Sequence, residues 1–158
     1  MEDQPVREMR RKDREIDEVE ARQLLASGEY GVLSTVGPNG EPYGVPVSYV
    51  FRAGEIFFHS APDGRKVDHL SATAQASFCV VGATALQPEM FSTCYESAIA
   101  SGEVRELEGD EKLSALGWLV EKYAPEFLNE GMEYIASARE KTRVFGLRVR
   151  HISGKRRR

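Results

Sequence analysis

The stretch "IFFHSAPDGRKVDHL" carries three side chains able to do chemistry. His59 ends an apolar run, and Arg65 and Lys66 directly follow a Pro-Asp-Gly turn. Histidine titrates near neutrality and serves as acid, base, hydrogen-bond donor or metal ligand. A forked guanidinium beside a compact ammonium suits a phosphate. If a helix begins at the two cations, its first backbone N–H groups add partial positive charge and complete an anion seat. The same residues also suit a solvated turn with two surface cations, and this stretch alone leaves both readings open. Several other chemistries find no support. GxxxxGK[ST] and GxGxxG are both absent, so neither a Walker loop nor a Rossmann dinucleotide turn is present. His59, His69 and His151 have no ligand spacing with one another or with Cys79 and Cys94, so no metal site is expected. No Ser-His-Asp arrangement has supporting context.

These residues have to be positioned by the elements around them. Asp17 is placed to cap a helix, with Glu20 three residues on and Gly28 at its end. "YGVLSTV" (30–36) reads as a strand ended by the turn "GPNG". "YGVPVSYVF" (43–51) sets Tyr43, Val45, Val47, Tyr49 and Phe51 on one face, and Pro46 within it implies an edge, a bulge or an opening in the sheet. A turn at "RAG" leads into strand 55–60, and a short helix is expected from Val67 to Ala72. "ASFCVVG" (76–82) is a fourth strand, followed by a loop to about Phe91. "STCYESAIASGEVREL" (92–107) is a long fifth strand with a bulge at Gly102. Asp110 opens a helix with Leu113, Leu116, Val120 and Tyr123 at helical spacing. Pro125 opens another helical segment, and "TRVFGLRVRHI" (142–152) closes the chain as a sixth strand. Glu103, Glu106 and Glu108 read as a solvated face, Trp118 as packing against the barrel or against a partner, and "GKRRR" as a solvated tail.

Six strands joined mostly by hairpin turns make a mainly antiparallel sheet, which avoids exposed edges best by closing on itself. The expected fold class is therefore α+β, a small β-barrel with peripheral helices. At 158 residues this is one domain, residues 1–158, with 1–15 as a polar N-terminal arm. A net charge of −4 argues against a nucleic-acid partner. No apolar run is long enough for a bilayer, and the charged N-terminus lacks a signal-peptide core, so a cytoplasmic location is expected. Cys79 and Cys94 read as buried reduced thiols.

The ordered segments "GVLSTV", "GEPYGVPVSYVF", "IFFHSAPDGRKVDHL", "ASFCVV" and "YESAIASGEV" resemble the pyridoxamine 5′-phosphate oxidase-like superfamily of flavin-binding split barrels. Within it, "MRRKDREI" (9–16), "FHSA" and "ISGK" resemble the nitroimidazole-resistance-type branch, and the similarity runs from about residue 9 to 155. The resemblance implies a six-stranded split barrel that holds FMN, with FAD as the alternative, at a homodimer interface. Val45, Pro46, Val47 and Ser48 would run beside the isoalloxazine ring. His59 and Ser60 would face the ribityl phosphate side, Arg65 and Lys66 would be the phosphate pair, and Ser97 stands where the true oxidases use a glutamine. Two departures stand out. Val45 and Val50 occupy places where the true oxidases carry an arginine and a lysine, and the ending "RHISGKRRR" lacks their pyridoxal-phosphate grip. Vitamin B6 oxidation is therefore disfavoured.

The function implied is an FMN-dependent oxidoreductase that reduces a small aromatic or nitro-bearing molecule, with His59 as catalytic candidate, either a flavin-side wall or a proton donor. The flavin would supply the redox chemistry and the protein its position and electronics. The alternatives are a flavin carrier without turnover, or a split barrel binding another ligand such as haem through His59. No separate nicotinamide site is legible.

Overall fold

The computed structural model describes residues 6–158. Its strands are β1 (Glu15–Ile16), β2 (Gly31–Val36), β3 (Pro42–Val47), β4 (Val50–Arg52), β5 (Glu55–Ser60), β6 (Gln75–Gln87), β7 (Ser92–Leu107) and β8 (Arg143–Arg157). The α-helices are α1 (Glu18–Ser27), α2 (Arg65–Ala72), α3 (Gly109–Tyr123) and α4 (Leu128–Ala138). The sheet order is β3-β2-β6-β7-β8-β5-β4, every pair is antiparallel, and β1 adds to β8. The two edge strands, β3 and β4, are consecutive in the chain, so Ser48 and Tyr49 join the ends of the curled sheet covalently. No ladder pairs β3 with β4 among the described residues. The barrel is split at that corner.

The expected α+β split barrel is present, with eight strands in place of six. One extra strand arises because 43–51 breaks in two. Tyr49 buries its ring completely against Phe78 (centroids 4.7 Å apart) and its hydroxyl donates to the Leu25 carbonyl. Its backbone N–H donates to the Tyr123 hydroxyl at 2.9 Å, so the ladder is replaced there by a contact from α3. The other extra strand is Glu15–Ile16, at the end of the stretch read as a polar arm; residues 1–5 of that arm lie outside the described residues.

The C-terminal tail also differs from expectation. Gly154 to Arg157 pair with β7, and Arg156 bridges Glu96 (3.0 Å) and Glu20 (2.7 Å). A run of basic residues can form a strand when the facing elements supply carboxylates, and here α1 and β7 do so for Arg156. Glu106 and Glu108 lie exposed as expected of a solvated face, on which Glu106 receives a bidentate Arg143 (2.7 and 2.8 Å) and Glu103 an Arg150. β6 likewise runs on to Gln87, through an irregularity between Val81 and Thr84, where a loop was expected. The bulge at Gly102 is present, and a Cβ there would lie 1.8 Å from the Arg148 carbonyl oxygen. Glycine is required by that close approach.

Two cores share the β5 strand. Ile56 and Phe58 point into the barrel among Leu33, Tyr49, Phe78 and Leu147. Phe57 points outward, where Leu107, Leu116, Leu119, Ile135 and Val144 pack as α3 and α4 cover the barrel wall. Trp118 packs beside Phe57 (5.2 Å), and Arg52 lies over its ring. Cys79 and Cys94 are free and only half-buried. Among the described residues no helix is long and apolar enough to cross a membrane.

Candidate functional site

β5 ends at Ser60, the chain turns through Pro62 to Gly64, and α2 begins at Arg65. Gly64 adopts φ +144°, a region that disfavours side chains, and a Cβ there would meet nothing within 4 Å. The glycine is therefore needed for its backbone, and it leaves the helix start open. No side chain caps α2, so its first N–H groups face outward beside two cations. α2 is held rigidly beneath them. Buried His69 shares a 3.0 Å hydrogen bond between Nδ1 and the Thr35 hydroxyl, stacks edge-on to Tyr43, and approaches Glu41 at 3.9 Å. The Arg65 guanidinium lies 4.9 Å over the Tyr43 ring.

The strand alternation separates His59 from Ser60. Ser60 is buried on the barrel side, where its hydroxyl donates to the Ala61 carbonyl at 2.9 Å. His59 points outward and, among the described residues, its ring has no hydrogen-bond partner. Surrounding protein, and secondarily the charge of Lys66, hold its imidazole below the usual value. The lowered pKa favours the neutral ring, which offers one N–H donor and one bare nitrogen.

The β3 residues divide in the same way. Val45 and Val47 pack against the barrel core, whereas Pro46 and Ser48 face outward. Ser48 and His59 line one cavity beneath α3 and α4. Ser97 lies on β7, opposite Val81 and Lys155, and does not line that cavity. One chain thus sets Ser48 and His59 on one cavity with Lys66 acting on His59, lays Arg65 over Tyr43, and turns Val45, Val47 and Ser60 inward.

The corner that places Ser48 depends on residues that sequence reasoning passed over. The Lys122 ammonium donates to the carbonyls of Gly28 (2.7 Å) and Tyr49 (2.8 Å) and sits 3.9 Å over the Tyr49 ring. Burial pushes its pKa down. The Tyr123 hydroxyl accepts from the Tyr49 N–H and donates to the Glu29 carbonyl at 2.6 Å. Tyr123 belongs to the apolar stripe of α3, yet its ring stays partly exposed while its hydroxyl reaches the corner; nothing in the sequence marks Lys122.

Solved structures with this architecture include a candidate 5-nitroimidazole antibiotic resistance protein from Bacteroides thetaiotaomicron (TM-score 0.73, 20% identity, 89% of this chain and 85% of that one). The flavocytochrome Anf3 of Azotobacter vinelandii aligns with TM-score 0.78 at 18% identity, over 96% of this chain and 72% of its own. An FAD-binding protein from Mesorhizobium loti aligns with TM-score 0.66 at 20% identity, over 92% and 98%. At such identities the likeness establishes the fold. No curated protein matches the chain. The sequence model of one family, described as pyridoxamine 5′-phosphate oxidase, matches residues 17–156, from the cap of α1 through the paired C-terminal strand. With nearly its whole length accounted for by that model and folded as a split barrel, the chain belongs to the pyridoxamine 5′-phosphate oxidase family.

Proposed function

We propose that the protein binds FMN and reduces a small aromatic or nitro-bearing molecule beside it. The observation that carries this reading is the open start of α2, where uncapped N–H groups adjoin Arg65 and Lys66, and Lys66 acts electrostatically on His59, which shares a cavity with Ser48. A phosphate fits there because the dipole, the forked guanidinium and the ammonium all favour an anion. Bound flavin would supply the electrons. The chain's own part is to hold the phosphate at Arg65 and Lys66 and to present the neutral His59 N–H to an acceptor oxygen of the substrate. Because its pKa is lowered, His59 suits hydrogen bonding better than protonation by an imidazolium.

We further propose that a second copy completes the site. Val81, Ile99, Leu86, Met90 and Phe91 are exposed along β6, β7 and their connection, with Phe91 at 98% exposure, and this apolar surface supports burial against a partner. Ser97 lies on the same strand.

Titration with FMN and riboflavin tests the proposal. Lys66→Ala should weaken FMN by roughly 1.5–3 kcal/mol, the worth of a charge-assisted hydrogen bond, and leave riboflavin unchanged. Equal weakening of both would move the phosphate elsewhere. A haem-type spectrum in the purified protein would favour the alternative that the unpartnered His59 ring supports, an axial ligand to haem.

A further inference from the structure

The cavity above His59 has a chemistry of its own. Its volume is about 340 Å³, near the lower end of the roughly 300–1,000 Å³ typical of ligand pockets, so it suits a compact ligand of one or two rings. Leu116 and Leu119 of α3 and Ile135 and Ala138 of α4 form apolar walls, at the spacing that puts each pair on one helix face. His59 supplies a hydrogen-bonding group without a partner among the described residues. Arg139 is the sole charged side chain in the lining, and on its other side it borders a second pocket that holds Glu108, Asp110 and Glu140. Its one ion pair is a 3.4 Å approach of Nε to the neighbouring Glu140, which is 87% exposed, so both terminal guanidinium nitrogens remain unbonded among the described residues. Apolar walls and a single lining cation select against cations and favour a flat molecule with a negative end.

We propose that this cavity binds a small aromatic carboxylate, with its rings between α3 and α4 and its carboxylate at Arg139. This names the class of molecule held beside the flavin. It rests on the flavin reading for turnover and stands without it for binding.

The test is calorimetric titration of the full chain with 2-naphthoate and with the neutral 2-naphthylmethanol, each with and without saturating FMN. The carboxylate should bind about tenfold more tightly than the alcohol, the effect of one charge-assisted contact at a partly exposed site. Arg139→Gln should erase that preference and leave the alcohol's affinity as it was. Ala138→Phe, which fills the cavity, should abolish binding of both, with FMN affinity and the emission of the single tryptophan, Trp118, as checks on folding. Equal affinities for the two probes, or a preference that survives Arg139→Gln, would overturn the proposal. Displacement of naphthoate by FMN would also overturn it, because the cavity would then be the flavin's own. Arg139-dependent naphthoate binding by a protein that ignores FMN would sink the flavin reading and leave this one standing.

Discussion

Helices α1 and α2 carry the same backbone dipole yet begin with opposite chemistry. At α1 the Asp17 side chain accepts the Glu20 N–H at 2.8 Å, and Glu18 and Glu20 supply negative charge in the first turn. The end is satisfied from within the chain. At α2 the capping position is Gly64, no side chain closes the turn, and the first two residues are Arg65 and Lys66. A cation at the positive end of a dipole is unfavourable by itself. Placing two there costs stability unless an anion sits between them. The contrast is that the start of α1 is closed from within the chain, whereas the start of α2 is left open beside two cations.

The largest expected effect comes from giving α2 the acidic first turn of α1. The double variant Arg65→Glu, Lys66→Glu should weaken FMN by at least about a thousandfold, roughly 4 kcal/mol, and change riboflavin little. Retained FMN affinity in fluorescence-quenching titrations would break the comparison.

A smaller effect is expected at the other helix. Asp17→Ala should cost about 1 kcal/mol of stability, the typical worth of an N-cap, read as a lower urea midpoint at constant slope. FMN affinity should stay the same. A loss of flavin without a loss of stability would mean that α1 is not purely structural.

The smallest effect concerns proton binding. His59 is held below its ordinary 6.5 by burial and then by Lys66. Between the folded and ordinary values the unfolded chain binds a proton that the folded chain refuses. Stability therefore drops as pH falls through that window, and His59 contributes nothing above it. His59→Gln should flatten this part of a urea-midpoint series run from neutral to mildly acid pH. Lys66→Ala should raise the His59 pKa in an NMR titration. An unchanged slope in the first experiment would show that the ring is better solvated than its surroundings imply.

The local features of both helix starts were legible in the residues. Asp17 with Glu20 is a capping pair, and glycine followed by Arg-Lys after a strand marks a helix with an open end. Gly102 was legible as a bulge because a glycine inside a long strand needs a reason. What could not be read had distant causes. The break at Tyr49 depends on Tyr123 and Lys122, and the pairing of the basic C-terminus depends on Glu20 and Glu96. In each case a residue far along the chain supplies the partner that overrides the local pattern.

By itself the sequence determined the antiparallel strands, the Asp17 cap of α1, the Arg65–Lys66 pair at a helix start and the placement of His59 at the end of β5. These follow from alternation, capping and turn chemistry, which act over a few residues. Only the tertiary structure decided that His59 and Ser48 share a cavity while Ser60, Val45 and Val47 turn inward. It also decided that α3 and α4 roof that cavity with apolar side chains and Arg139. Which side of a strand meets a ligand depends on what packs against each face, and that is settled when the elements assemble.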